Sequence, residues 1–313
     1  MLVGVDDDTL KWTPYPLTVV ARQQALGAAA VRVWVPWQGE TQPNAVRRDE
    51  LTRAETAARR THVVLAVFGF ARDTPRSAAA QTRYCGYAKA ALTLVPDARA
   101  IVVWNEANAP AYWRGSAATY EALLARCYDV LHRRGLTVLD STASAHDPVA
   151  FLDAVARAYR ASGRRRPLVD AFGHNPYPLS SKEGPGVLHA GDFLGEGDYA
   201  RLVMTLHEGF GGSPAIWYLE DGYQSQVPPR GYQGRENATV VTPAQQARSL
   251  GDAIRLAACQ AHVRAFFNFE LVDETRLAGW QSGLIGRGAR PKPAAAAFAA
   301  AARSAAGGCR SRP

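Results

Sequence analysis

The sequence predicts an α/β fold, a single (β/α)8 TIM barrel over residues 1–313 with a short C-terminal tail at 307–313. Three observations predict it. One rhythm of β-rich run, polar loop and amphipathic helix fills the whole chain. Eight such runs recur at roughly 30–45-residue spacing. Several runs, such as Val63–Phe68 and Ile101–Trp104, are apolar throughout, as strands covered by helices on both faces are. Eight βα units in a chain of this length match barrel size.

The candidate strands begin near Leu2, Val31, Val63, Ala100, Leu136, Leu168, Ala215 and Val263. Between them, the segment from Ser116 places Tyr120, Leu123, Leu124, Cys127 and Leu131 on one helical face. Asp147-Pro148 reads as an N-cap followed by proline at the first helical position. Thr242-Pro243-Ala244-Gln245 reads as a capping box, and Pro293 opens an alanine-rich last helix. The Gly/Pro-rich stretches 178–198 and 222–241 read as long loops after strands six and seven. The alternative is an open doubly wound sheet. That fold expects a glycine fingerprint after its first strand, whereas here the strand runs into Asp6-Asp7-Asp8.

Composition narrows the function. With 47% hydrophobic and 20% charged residues, the chain is not disordered, collagenous or coiled-coil. No apolar run approaches the ~20 residues of a membrane span, so no membrane partner is expected. The net charge of +8 is carried almost wholly by arginine, the lysines being Lys11, Lys89, Lys182 and Lys292. With the alanine content, this reads as the codon bias of a GC-rich bacterial genome. Its basic run, Arg164-Arg165-Arg166, falls on an expected turn, so no nucleic-acid partner is expected. Cys85, Cys127, Cys259 and Cys309 show no metal-ligand spacing. They are either buried thiols or two disulfides; if the protein is exported, the favoured pairs are Cys85–Cys127 and Cys259–Cys309. Met1 abuts an apolar strand with no lead-in, which suggests a removed leader and a secreted protein, with a cytoplasmic location the alternative.

Barrel chemistry sits at the C-terminal ends of strands. Strand four ends Val103-Trp104-Asn105-Glu106, and strand seven ends Trp217-Tyr218-Leu219-Glu220. Each apolar run stops at a glutamate. Two carboxylates across one pocket mouth are what glycosidic-bond cleavage needs. Asp6, Asp7 and Asp8 either accept hydrogen bonds from sugar hydroxyls or shape a turn. Asn268, Glu270, Asp273 and Glu274 follow strand eight and are further candidates for the pocket wall. Asp221 should point away from the pocket by strand alternation. Indole rings stack on the apolar faces of sugars, so Trp34, Trp37 and Trp280 are candidate platforms; core packing is the alternative for each.

Trp104-Asn105-Glu106-Ala107-Asn108 resembles the W-N-E-P-N motif of the clan A retaining glycoside hydrolases, which include families 5 and 39. The resemblance implies that Glu106 is the acid/base, that Asn105 binds the sugar's 2-hydroxyl and that Glu220 is the nucleophile. His174-Asn175-Pro176-Tyr177 is similar to the clan's H-P-Y segment with one inserted residue, which implies that His174 and Tyr177 flank the nucleophile. Arg32 resembles the strand-two arginine that contacts it, and Gly279–Leu284 resembles the clan's ending. Ala107 departs from the usual proline, which should loosen the loop, and Asn175 interrupts H-P-Y. The implied activity is retaining hydrolysis of a β-glycosidic bond by a monomer with a carbohydrate substrate, no metal and no organic cofactor. Rival readings are transglycosylation, a non-catalytic carbohydrate-binding barrel, and a phosphate-handling barrel. The last wants a glycine-rich anion site after strands seven and eight, where the chain has Glu220-Asp221.

Overall fold

The computed structural model describes residues 1–228 and 230–309; positions 310–313 of the expected tail lie outside them. Nine parallel strands form one sheet in the spatial order β5-β4-β3-β2-β1-β9-β8-β7-β6. They are β1 (Leu2–Asp6), β2 (Ala30–Pro36), β3 (His62–Phe68), β4 (Ala100–Val103), β5 (Thr137–Leu139), β6 (Thr142–Ala143), β7 (Phe172–Asn175), β8 (Ile216–Asp221) and β9 (Val263–Phe269). The two ends, β5 and β6, are halves of the fifth expected strand, interrupted at Asp140-Ser141. β5 pairs with β4 and β6 with β7, and a bridge joins Leu139 to Ala171. The fifth strand therefore closes the sheet into an eight-stranded barrel. Asp140 Oδ1 accepts from Gly173 N at 2.9 Å across the break. Gly173 is required there, because a Cβ would lie 2.1 Å from Asp140 O.

The barrel wall is aliphatic and dry: Val31, Val33, Val63–Val67 and Ala100–Val102 are fully buried. Helices cover it, with α1 (Thr9–Trp12) and α2 (Pro16–Ala25) after β1, then α3 (Ala45–Ala58), α4 (Ala78–Leu94), α5 (Ala117–Leu131), α6 (Pro148–Ala161), α7 (Tyr199–Phe210), α8 (Pro243–Cys259) and α9 (Pro293–Ala306). No helix of the described residues is long and apolar enough to cross a membrane.

Two local expectations change. Leu168 and Val169 are buried but not in the ladder, and the sixth strand starts at Phe172. The Asp170 carboxylate accepts from Val138 N at 2.8 Å and from Tyr128 Oη at 2.9 Å, so this apolar run packs as a loop. Asp147 takes a left-handed conformation and does not cap α6; Asp192, from the following long loop, accepts from Val149 N and Ala150 N instead. Thr242 does cap α8, with Oγ1 accepting from Gln245 N at 3.2 Å.

Both expected disulfides are present. Cys85–Cys127 joins α4 to α5 with a Cα separation of 5.0 Å, and Cys259–Cys309 ties the segment after α9 to α8 at 4.6 Å. The first is buried and the second exposed.

Candidate active site

The strand ends open into a cavity of about 740 Å³ lined by Asp6, Arg32, Asn105, Glu106, Tyr177 and Glu220 among others. Alternation along β2 sends Arg32 and Trp34 to the same face, and both reach this cavity. Arg32 organises its floor. Its Nη1 donates to Glu220 Oε1 at 2.7 Å and to Asp6, and its Nη2 donates to Asn105 Oδ1 at 2.8 Å. One buried cation thus ties together β1, β2, the end of β4 and β8. Tyr177 Oη donates to Glu220 Oε2 at 3.3 Å, so both oxygens of that carboxylate are held.

Glu106 is held differently. It follows β4 in a tight loop where Trp104 (φ 70°) and Glu106 (φ 41°) both occupy the left-handed region, each at a cost of about 1–3 kcal/mol for a non-glycine residue. The surroundings impose this shape. Trp104 N donates to Val67 O at 3.1 Å and Tyr84 Oη at 2.8 Å. The Asn108 side chain bonds Ala143 O, His146 O and Ala143 N at 2.7–2.8 Å, locking the loop to β6. Ala107 does not loosen it: its N–H donates to Ser141 O at 3.2 Å, a bond that proline could not make.

Asn175 Nδ2 donates to Glu106 Oε1 at 2.9 Å. Burial, then the charge of Glu220, pushes the Glu106 carboxyl up to about 7; the Asn175 hydrogen bond and Arg32 act against this. Asp6 is also pushed up, to about 8, because burial and the Glu220 and Asp8 charges outweigh its ion pair with Arg32.

The remaining site expectations divide. Trp34 and Trp280 line the cavity. Trp34 stacks on Phe68 at 5.3 Å, and Trp280 packs against Tyr177 and Phe269, each at 5.2 Å. Trp37 does not reach the cavity. It is 2% exposed, donates Nε1 to Glu40 O at 2.9 Å and packs edge-on against Tyr84 and Trp104, so it is a core residue. His174 is also misplaced as a site residue. It is 1% exposed, with Nε2 2.8 Å from Leu194 O and Nδ1 3.0 Å from Thr142 Oγ1. Burial pulls its imidazole down to about 4, leaving it neutral. The inserted Asn175, one residue on and pointing the other way, is the group that meets Glu106.

Of the triple aspartate, Asp6 belongs to the Arg32 cluster. Asp7 accepts from Thr9 and Gln23, and Asp8 from Trp34 N, with an ion pair to Lys11, so these two shape the turn although they border the cavity. Asn268 is fully buried and donates to Glu270 O and Ser282 O. Glu270, Asp273 and Glu274 do line the cavity. Glu270 is pushed up to about 10 by burial and by Glu274, Asp6, Asp7 and Asp273. Asp221 faces away, as expected, buried with both carboxyl oxygens unpartnered among the described residues. Sequence reading missed Trp12 at the end of α1, Phe68 at the end of β3, and Phe70, Tyr112 and Phe193 from loops, which add aromatic wall.

No family model matches the sequence, and no curated protein matches it. Among solved structures, the chain is similar to a family 39 glycoside hydrolase from the gut symbiont Bacteroides cellulosilyticus WH2. The TM-score is 0.69 at 16% identity over 96% of this chain, which spans 63% of that one. It is equally similar to a GH5_18 protein from Bifidobacterium longum subsp. infantis, with TM-score 0.69 and 17% identity, covering 100% of this chain and 80% of that one. A GH128 (subgroup I) endo-beta-1,3-glucanase mutant from Amycolatopsis mediterranei, in complex with laminaripentaose, gives TM-score 0.56 at 17% identity over 96% and 99% of the two chains. At these identities the likeness establishes the shared barrel fold.

Proposed function

We propose that the protein is a retaining β-glycoside hydrolase in which Glu220 is the nucleophile and Glu106 the acid/base. The observation that carries this reading is the unequal holding of two glutamates in one cavity. Glu220 receives a guanidinium and a phenol on its two oxygens, and Glu106 is raised to about 7 with one amide donor. Environments that differ in this way divide an acid from a nucleophile.

In the first step Glu220 attacks the anomeric carbon and forms a glycosyl ester. The departing oxygen takes the Glu106 proton as its bond to carbon breaks. In the second, the now ionised Glu106 takes a proton from water, whose oxygen displaces Glu220 from the opposite face. Two inversions give retention. The steps use side chains alone, so no metal or cofactor enters. Asn105, fixed by Arg32, is placed to bond the sugar beside the reacting carbon, and Trp34 and Trp280 supply stacking surface. Among the described residues, eight carboxyl groups border the cavity; Asp8 and Asp273 are paired with Lys11 and Lys292, and Arg32 is held by Asp6 and Glu220, so no cation is left over for a uronic or sulfated sugar and the lining suits uncharged or amino sugars. A non-catalytic carbohydrate-binding barrel has no use for a carboxyl poised at about 7 beside a clamped one. The two disulfides suit an oxidising compartment, so we place the protein outside the cytoplasm.

The test is a screen of aryl β-glycosides and β-glucans, followed by proton NMR of the first-formed anomer. Initial release of the β-anomer supports the reading. Release of the α-anomer contradicts it.

A further inference from the structure

A second cavity of about 430 Å³ lies beside the first, and the two share Tyr177, Pro178, Leu179 and Trp280. These four residues form a ridge with a cavity on either side. The far wall of the second cavity comes from the two long loops. Those loops are tied to each other and to the Ala278-Gly279 segment that leads into Trp280. Gln224 N donates to Ser181 Oγ at 2.8 Å, Gln224 Nε2 to Gly279 O at 3.3 Å, and Asn237 Nδ2 to Ala278 O at 3.0 Å. The groove is therefore formed before any ligand arrives, as binding clefts usually are.

Its chemistry contrasts with that of its neighbour. Among the described residues no charged side chain lines the second cavity, where the first is bordered by eight carboxyl groups. The ridge is apolar, with Leu179 61% exposed at its crest, and the opposite wall carries amides and hydroxyls. An apolar shelf facing neutral polar groups matches a pyranose, with its apolar C–H face and its rim of hydroxyls. A charged ligand would find no counter-charge there.

We propose that the second cavity is a further sugar-binding subsite, so that the substrate is an uncharged chain of several units that crosses the Trp280 ridge. This rests on the glycosidase reading and adds to it that cleavage favours long chains over short ones. A ligand confined to the first cavity would leave the outer side of the ridge in water.

The test measures kcat/KM for β-1,3- and β-1,4-linked gluco- and manno-oligosaccharides of two to six units, alongside nitrophenyl monoglycosides. For the series that is cleaved, kcat/KM should rise at least tenfold between two and four units. Ala238→Trp places an indole in the second cavity from an exposed loop position, and should reduce that rise to less than twofold. A flat chain-length profile in the unaltered protein overturns the subsite, as does cleavage of monoglycosides alone or an unchanged rise in Ala238→Trp. Failure to cleave any glycoside overturns the glycosidase reading, and this inference with it. Hydrolysis without chain-length dependence removes only the subsite.

Discussion

Removing Asn175 should retune the acid. Asn175 Nδ2 donates to Glu106 Oε1 at 2.9 Å inside the barrel mouth, and that bond favours the ionised form of Glu106. In Asn175→Ala the ionised carboxylate loses its donor, the protonated form gains relative weight, and the pKa rises. A hydrogen bond to a charged group contributes about 1.5–3 kcal/mol, and one pKa unit corresponds to about 1.4 kcal/mol, so the shift is about 1–2 units. The assay is the pH dependence of kcat/KM on an alkyl glycoside, whose poor leaving group makes protonation limiting. The basic limb of that profile reports the free enzyme's acid. It should fall near pH 7 in the unaltered protein, and near 8–9 in Asn175→Ala. A nitrophenyl glycoside, which needs little protonation to depart, should show a much weaker basic limb in both. A basic limb that stays in place, or moves to lower pH, refutes the reasoning.

Further outcomes follow from the same geometry. Arg32→Ala should abolish activity and lower stability by about 3–5 kcal/mol, because it leaves Asp6 and Glu220 buried without their shared cation; denaturant unfolding measures it. Asp221 is fully buried and raised by that burial to about 7 from an ordinary 3.8. Its folded-state pKa lies above its unfolded one, so stability is fully present below pH ~4 and falls as pH rises through 7. Asp221→Asn should therefore raise the melting temperature at pH 8 and leave it nearly unchanged at pH 4; equal effects at both would count against this. Mild reduction and alkylation, followed by mass spectrometry, should label Cys259 and Cys309 before Cys85 and Cys127, because the first pair is exposed and the second is sealed between α4 and α5.

The barrel was legible because its signals are periodic and redundant. Each strand is an apolar run whose burial on both faces is written in consecutive residues, and each helix repeats its face several times. The glutamates at the ends of β4 and β8 were legible because alternation and strand ends fix where a side chain points. What failed depends on single loop residues. His174 and Asn175 are neighbours on one strand, and which of them meets Glu106 depends on a one-residue register that the inserted asparagine conceals. Trp37 sits three residues beyond Trp34, yet the chain turns between them and sends its indole into the core beside Tyr84. Asp147 had the right residue type for a cap, but Asp192, 43 positions beyond Val149 in sequence, accepts from the α6 N-terminus instead. The aromatic wall of Phe70, Tyr112 and Phe193 comes from loops without periodicity, and no local pattern marks it.

The central claim is that Glu220 forms the covalent bond and Glu106 moves the proton. Azide rescue of Glu220→Ala and Glu106→Ala on a 2,4-dinitrophenyl β-glycoside tests it most directly. Glu220→Ala should be inactive alone and, with azide entering the vacated space, should give the inverted α-glycosyl azide. Glu106→Ala should still form its glycosyl ester with this good leaving group, stall without its base, and give the retained β-glycosyl azide. The reverse stereochemistry would exchange the two roles, and full activity in both variants without azide would contradict the account.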